Sequence, residues 1–393
     1  MSPGCRLAVL GATGSVGRQA LQVAAAFPEI FQVVALAASS DFQGLAKLAA
    51  RFRPELLVLA DGTAAGKLSP LVDSACRVEA GAEALERLAA AGDYDCLLAA
   101  TVGQAGLTAV CSALQAGKRV ALANKEVLVM AGELVTGLAA RHGGEIIPVD
   151  SEHAAAHQLL DGLDPAAVRR LILTASGGPF LGRDPASMQQ VSVAEALSHP
   201  RWKMGPKISI DSATLMNKGF EIIEARWLFS LPADNIQVLV HPQSMVHALV
   251  ETMDGGLLAQ LAEPDMRLPI AYALAYPRRL PLPERLPDIV SSDPCRVELS
   301  FQPAREEDFP ALRLCRQALG RGGGVAAALS VADEVVVQAF LQEHIPFPAI
   351  LEILQQVLED TGELPASNLE QYLAAGQRGA DLARKIIARR FGP

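Results

Sequence analysis

Leu7-Ala-Val-Leu10-Gly11-Ala-Thr13-Gly14-Ser15-Val16-Gly17 is the stretch that decides the fold. An apolar run, Leu7 to Leu10, passes straight into glycines spaced G-x-x-G-x-x-G. A helix-period pattern follows through Leu21 and Val23 to Phe27, and Pro28 closes it. Strand, glycine turn and helix in that order are the context a dinucleotide fingerprint needs. Glycines permit the tight turn and the close approach of a pyrophosphate, and the first turn of the helix offers it free N–H groups.

Outward from this turn the rhythm continues. A second apolar strand, Gln32 to Ala38, ends at Ser39-Ser40-Asp41, where an adenine ribose is usually read in such folds. Further apolar runs at 56–60, 96–100, 120–123 and 146–149 are separated by alanine-rich helical segments. Strands alternating with helices predict an α/β fold whose N-terminal part is a doubly wound, Rossmann-type parallel sheet. Ligands bind beyond the carboxyl ends of such strands. Asn124-Lys125-Glu126 follows the fifth run and Asp150 the sixth, so both fall on the expected working edge.

Pro148-Val149-Asp150-Ser151-Glu152-His153 carries two carboxylates two residues apart. In an extended segment alternate side chains project the same way, so Asp150 and Glu152 face one point. Carboxylates so placed repel unless a proton or a cation sits between them. An all-oxygen pair suits a hard divalent ion, Mg²⁺ or Mn²⁺. The competing reading is a solvated strand end whose Ser or Asp caps the next helix.

At 393 residues the chain is long enough for two or three domains, and its 50% hydrophobic and 20% charged residues describe an ordinary globular protein. A net charge of -9 argues against nucleic acid as a partner, so any phosphate must be met by a local cluster. Six cysteines without a C-x-x-C pair indicate neither a zinc site nor a disulfide framework, and point to reduced thiols in a cytoplasmic protein. The first apolar run is broken at once by glycines, which is not a signal-peptide pattern. No stretch of about 18 apolar residues predicts a membrane span.

After about residue 150 the pattern changes. A strand at 170–174 leads into Ala175-Ser176-Gly177-Gly178-Pro179, and a weakly periodic stretch then runs to His199-Pro-Arg-Trp202-Lys-Met204-Gly205. That stretch, about 177–205, reads as a lid with an imidazole and an aromatic at its far end, or else as a mobile surface loop. Lys218 and Glu221 share a helix face, which equally describes a surface salt bridge. Strands are expected at 237–240, 245–250 and 257–261, and a helix from about 266 to 275. The expected domains are 1–150 for the dinucleotide and 151–285 for catalysis and metal. A Pro-rich linker at 286–310 and a C-terminal helical bundle at 311–393 complete the chain.

Taken together, the segments resemble the 1-deoxy-D-xylulose 5-phosphate reductoisomerase family. The matches are 11–17, Ala123-Asn-Lys-Glu126, Pro148 to His153, Ala175 to Phe180, His199 to Gly205, Lys207 to Thr214, Met216 to Glu221, His241-Pro-Gln-Ser244 and Glu263-Pro-Asp-Met-Arg267, in the family's order over nearly the whole chain. The resemblance implies rearrangement of a ketose phosphate to a branched aldehyde and its reduction by NADPH to 2-C-methyl-D-erythritol 4-phosphate, a step toward isoprenoids. It implies a divalent metal, Mg²⁺ or Mn²⁺, on Asp150, Glu152 and Glu221, acting as a Lewis acid. By the same resemblance Ser176, His199, Ser212, Asn217 and Lys218 surround the substrate phosphate, and Lys125 and Ser151 contact the sugar. Trp202 and Met204 cover the site. Gly11, Thr13, Gly14, Ser15, Val16, Asn124, Glu126 and Gly205 hold the cofactor. Lys125, His199 and the three metal carboxylates form the expected catalytic set. A homodimer is the family's implied assembly, with a small phosphorylated sugar as partner and neither nucleic acid nor membrane.

One segment departs from the family pattern. Where many members carry Gly, a basic residue and Asn after the second strand, this chain has Ser39-Ser40-Asp41. A basic residue there pairs with the 2′-phosphate of NADPH, whereas an acid favours the ribose hydroxyls of NADH. The serine hydroxyls remain as donors, with Arg51 and Arg53 as the expected basic neighbours, so NADPH preference by a narrowed margin is expected. Two further readings fit less well: a metal-dependent reductase of a related branched sugar phosphate, and a non-catalytic dinucleotide sensor. The sensor is expected to lack metal ligands or lid, and no matching position is missing.

Overall fold

The computed structural model describes residues 4–202, 204–282 and 298–392. Contacts divide the chain into two compact units, 1–127 with 135–154 and 265–281, and 128–134 with 155–264 and 282–393.

The first unit is built on seven parallel strands: β1 Cys5–Leu10, β2 Phe31–Ala38, β3 Leu56–Leu59, β4 Arg77–Ala80, β5 Cys96–Ala99, β6 Arg119–Leu122 and β7 Glu145–Pro148. Their order is β4-β3-β2-β1-β5-β6-β7. Leu7 of β1 pairs with Val33 on one side and Cys96 on the other. The chain therefore winds outward from β1, returns to its other flank at β5, and leaves a switch point beside the glycine turn. Leu7, Ala8, Val9 and Leu10 are at most 1% exposed, as strands covered on both faces require. The helices are α1 Ser15–Ala26, α2 Phe42–Phe52, α3 Gly62–Leu68, α4 Ala82–Ala91 and α5 Leu107–Gln115. Two more, α6 Glu126–His142 and α7 Ser151–Leu160, follow β6 and β7.

The apolar-run reading finds six strands here and misses β4. At the sheet edge its residues are exposed or half-exposed, and Arg77 and Glu79 interrupt any apolar run. Asn124 thus follows the sixth strand and Asp150 the seventh.

The second unit carries a mixed sheet of β8 Val168–Ala175, β9 Ile236–Val240, β10 Val246–Thr252, β11 Leu257–Leu261 and β12 Gln302–Pro303, in the order β11-β10-β8-β9-β12. Only β8 and β9 run parallel. Between β8 and β9 come α8 Val193–Ala196, α9 Pro206–Thr214 and α10 Met216–Leu228. One face of the sheet buries Leu171, Leu173, Val238, Ala248 and Val250 against Ile222 and Ala225 of α10. After β11, helix α11 Arg267–Ala275 folds back with the first unit, where it packs on α1, β6 and β7. Its residues Pro269 to Ala275 are all buried.

Helices α12 Pro310–Arg321, α13 Val325–Leu341, α14 Ala349–Asp360 and α15 Leu369–Phe391 form the C-terminal bundle. Its core also takes in Phe180, Val191 and Ala196 from the expected lid. Phe180 meets Phe347 edge-on at 5.1 Å. The 180–196 part of that segment is therefore anchored, and α8 within it begins at a capping box in which Ser192 and Glu195 bond each other's backbone N–H. Of the expected linker, 286–297 lies outside the described residues. The part from 298 onward contributes β12, an edge strand where Pro303 is tolerated because its missing N–H faces no partner. No helix among the described residues is long and apolar enough to cross a membrane.

Candidate active site

The glycines of the first turn have separate tasks. Gly11 has φ +79°, and a Cβ there would lie 2.2 Å from the Ala100 carbonyl oxygen. A Cβ on Gly17 would lie 2.2 Å from the Gly11 oxygen. Packing alone demands both. Gly14 is exposed, and a Cβ there meets nothing nearer than the Gly11 oxygen at 3.2 Å, so its outer face is open to a ligand. Gly14 is also the N-cap of α1, where no side chain caps the helix and no acid occupies the first turn. Free N–H groups and the positive end of the helix dipole remain for an anion. Thr13 and Val16 are half-buried and Ser15 exposed beside them. The Gly11 and Ala12 amides donate to the Ala37 carbonyl at 3.0 and 2.8 Å, which ties this turn to the end of β2.

Ser39, Ser40 and Asp41 are exposed at that end. Asp41 caps α2, its Oδ1 accepting from the Gly44 amide at 2.8 Å. Its Oδ2 lies 3.9 Å from Nη2 of Arg18, the residue that follows the third glycine. Arg51 and Arg53, the basic neighbours expected from sequence, sit at the other end of α2, about 15 Å along the axis from Asp41. There Arg53 forms the left-handed C-cap. The sequence distance to them is short, but the helix carries them away.

Beyond β6, Asn124 is buried and donates through Nδ2 to the Gly103 carbonyl at 2.9 Å and Thr101 Oγ1 at 3.2 Å. Its Oδ1 is buried with no hydrogen-bond partner among the described residues. An orphaned acceptor on the same strand edge as the open N-terminus of α1 fits a dinucleotide with amide or hydroxyl donors. Glu126, also buried, opens α6, where an acid suits the dipole. Lys125 is buried, with Nζ 2.5 Å from Asp150 Oδ2.

Asp150 precedes α7, so Glu152 stands in the first helical turn and not in a strand. A strand-to-helix turn, rather than strand alternation, brings carboxylate oxygens of Asp150 and Glu152 within 4.8 Å of each other. The Ser151 amide donates to Asp150 Oδ1 at 3.0 Å, and Ser151 Oγ donates to Glu152 Oε2 at 2.5 Å. His153, fully buried, places Nδ1 3.6 Å from Asp150 Oδ2. Burial by itself raises the Asp150 carboxyl, but the Lys125 ammonium and His153 outweigh it and hold Asp150 well below the usual carboxylate range. Asp150 is thus charged and acceptor-only, and with the Glu152 carboxyl beside it offers the all-oxygen donor set a hard cation takes.

In the second unit, Ser176 ends the β8 segment and its Oγ lies 2.9 Å from His199 Nε2. The Trp202 and Arg201 amides donate to His199 Nδ1 at 2.9 and 3.2 Å. The imidazole therefore carries its proton on Nε2, facing Ser176. Burial pushes this histidine below its ordinary value. Gly178, at φ +70°, brings the same loop against α9: a Cβ there would lie 2.7 Å from the Ser212 carbonyl oxygen. On α10, Asn217 Nδ2 donates to Glu221 Oε1 at 2.6 Å and the Lys218 ammonium pairs with the other Glu221 oxygen. Lys218 is 3% and Glu221 0% exposed, which removes the surface-salt-bridge reading of this pair. Trp202 and Met204 are half-buried, the Trp202 ring 6.4 Å from that of His247. Gly205 is the exposed N-cap of α9.

Sequence reasoning passed over His153, Glu224 and Arg18. The first two are fully buried acid–base groups, one turn from Asp150 and from Glu221. Their i,i+3 spacing was the available signal. His241 ties loops together: Nδ1 meets the Ser300 carbonyl at 2.9 Å, and Nε2 accepts from the Met245 amide at 3.2 Å. Burial raises the Cys96 and Cys111 thiols to about 12, so these two stay protonated at neutral pH.

The open glycine turn at the switch point of a doubly wound sheet defines a dinucleotide-binding α/β protein with an acidic site on the same strand edge. Comparisons with known proteins narrow this. The 1-deoxy-D-xylulose 5-phosphate reductoisomerase family model matches residues 7–132. Its two C-terminal domain models match 146–229 and 261–381. The 1-deoxy-D-xylulose 5-phosphate reductoisomerase of Symbiobacterium thermophilum is 46% identical over 384 residues, covering 96% of this chain and 98% of the relative. That of Xanthomonas axonopodis pv. citri is 46% identical over 387 residues, with 98% and 97% covered. A solved structure of the Zymomonas mobilis enzyme in complex with NADPH superposes with TM-score 0.90 at 39% identity, covering 98% of this chain and 99% of that one. A reductoisomerase in complex with NADPH, fosmidomycin and magnesium gives 0.89 at 39%, with 99% and 100% covered. The chain belongs to the 1-deoxy-D-xylulose 5-phosphate reductoisomerase family.

Proposed function

We propose that this chain converts 1-deoxy-D-xylulose 5-phosphate to 2-C-methyl-D-erythritol 4-phosphate with NADPH and a divalent metal, in non-mevalonate isoprenoid biosynthesis. The observation that carries the reading is full-length similarity to enzymes of that activity at 46% identity, with every motif segment present in order. When bound, NADPH supplies the hydride and the metal supplies Lewis-acid polarisation of substrate oxygens.

The residues divide the remaining work. Asp150 and Glu152, with Glu221, would hold Mg²⁺ or Mn²⁺. Lys125 keeps Asp150 ionised, and its ammonium would donate to sugar oxygens beside those carboxylates, while the Ser151 hydroxyl, which donates to Glu152, would accept from a sugar hydroxyl. Ser176, Ser212, Asn217, Lys218 and the Nε2–H of His199 would bind the phosphate, one ammonium and several neutral donors meeting a dianion without a basic patch. Trp202 and Met204 would cover the substrate and exclude water, which strengthens every charge interaction inside. Gly14, with Gly11, Thr13, Ser15, Val16, Asn124, Glu126 and Gly205, would hold the cofactor, and Ser39 to Asp41 its adenosine end.

The same reading places the enzyme in the cytoplasm as a homodimer. In support, edge strand β11 exposes Leu257 and Leu258 at 57% and 40%, an uncovered apolar edge of the kind a second copy pairs with.

Product analysis tests the proposal. Incubation of 1-deoxy-D-xylulose 5-phosphate with NADPH and Mg²⁺ should yield, by NMR, a product whose methyl group sits on a tertiary alcohol carbon that bears no hydrogen. A reduced but unbranched alditol phosphate would refute the rearrangement and leave a simple reductase.

A further inference from the structure

The Ser39-Ser40-Asp41 segment lacks a basic side chain where the 2′-phosphate of NADPH is read, and it presents an acid instead. The structure places a cation across from that acid on a different element. Arg18 follows Gly17 in the first turns of α1, its side chain 62% exposed, with Nη2 3.9 Å from Asp41 Oδ2. Two backbone hydrogen bonds, from Gly11 and Ala12 to Ala37, fix the spacing between the start of α1 and the end of β2. Asp41 is held from the other side, because its Oδ1 caps α2 at Gly44. The carboxylate is therefore anchored, whereas the guanidinium is a long, exposed side chain in a loose pair.

We infer that Arg18 is the residue that recognises the 2′-phosphate, with the Ser39 and Ser40 hydroxyls as accessory donors and Asp41 as the group that opposes it. This rests on the reading of NADPH as the cofactor. A guanidinium meets a phosphate with two parallel N–H donors and a full charge, more than it gains from one exposed carboxylate at 3.9 Å. Asp41 repels the added dianion and accepts from ribose hydroxyls, so it favours NADH. The margin between the two cofactors is then set by Arg18 against Asp41, a pair joining two elements that the sequence separates by 23 positions.

Equilibrium binding tests this without turnover. Nicotinamide fluorescence titrations of NADPH and NADH are run on the wild type, Arg18→Ala and Asp41→Asn, with 2′,5′-ADP and 5′-AMP as displacing probes. Arg18→Ala should weaken NADPH and 2′,5′-ADP by roughly 10- to 100-fold, the range of a charge-assisted contact, and leave NADH and 5′-AMP within about twofold. Asp41→Asn should tighten NADPH. The NADPH dissociation constant should rise with salt less steeply in Arg18→Ala than in the wild type. Retained NADH binding certifies the fold of each variant. Equal losses for both cofactors, or an unchanged NADPH to NADH ratio in Arg18→Ala, would overturn the inference. Failure of the wild type to bind either cofactor would overturn the functional reading itself, and this inference with it.

Discussion

Gly14 and Gly17 stand three residues apart in one turn, yet replacing each with alanine should have opposite consequences. At Gly17 the added Cβ would stand 2.2 Å from the Gly11 oxygen and 2.8 Å from Ala12 Cα. These are backbone atoms at the end of β1, already hydrogen-bonded to β2, so they cannot swing aside as a side-chain tip does. Relieving an overlap of about 1 Å means moving the turn, at the upper end of the usual overpacking cost, about 3 kcal/mol. In a unit of this size that corresponds to a melting temperature lower by roughly 6–12 °C. At Gly14 the added Cβ would meet only the Gly11 oxygen, at 3.2 Å, and φ is -75°. Loss of glycine at an N-cap costs about 1 kcal/mol or less there. The methyl group would instead fill the open face at the N-terminus of α1 and weaken NADPH by roughly tenfold or more, about 1.4 kcal/mol. Calorimetry and NADPH titration on both variants separate the effects. Gly14→Ala that melts as early as Gly17→Ala, or that binds NADPH with full affinity, would refute the division of labour argued here.

Other expectations concern the second unit. Glu221→Gln should lower turnover by more than roughly a hundredfold, since even changes around a metal ligand cost about 10- to 100-fold. NADPH affinity should be unchanged, and its loss in that variant would contradict the separation of the two sites. Lys218→Ala should raise the Michaelis constant for the phosphorylated substrate about tenfold or more, the worth of a charged hydrogen bond. An unaltered value would leave Lys218 as a structural partner of Glu221. Burial holds His199 below its ordinary 6.5, so the unfolded chain takes up its proton first as pH falls. His199 should therefore cost stability as pH drops below about 6.5, down to its own folded value. Urea midpoints at pH 8 and pH 5.5 should differ more in the wild type than in His199→Gln, and equal differences would count against it.

Much of this was readable in the residues. Leu7 to Gly17 announced the strand, turn and helix, and the apolar runs placed six of the seven strands of the parallel sheet. β4 escaped because an edge strand needs no apolar face, and Arg77 and Glu79 hide it. Helix α11 was found as a helix, but its return to the first unit was not, since periodicity marks a buried face without naming what covers it. Asp150 and Glu152 were paired for the wrong local reason: helix α7 begins at Ser151, so a turn and not a pleat converges them. Arg18 was invisible for a related cause. Its relation to Asp41 depends on how α1 lies against the end of β2, which short-range spacing does not encode, whereas Arg51 and Arg53 looked near only along the chain. Lys218 and Glu221 looked like any i,i+3 surface pair until their burial was known.

The most direct test of the central claim is NADPH oxidation followed at 340 nm with 1-deoxy-D-xylulose 5-phosphate, after chelation and then on adding back Mg²⁺ or Mn²⁺. The account predicts no oxidation without metal or without substrate, and restored oxidation when both are present. Oxidation that proceeds undiminished in the chelated enzyme, or NADPH that binds and is never oxidised with substrate and metal both supplied, would contradict it.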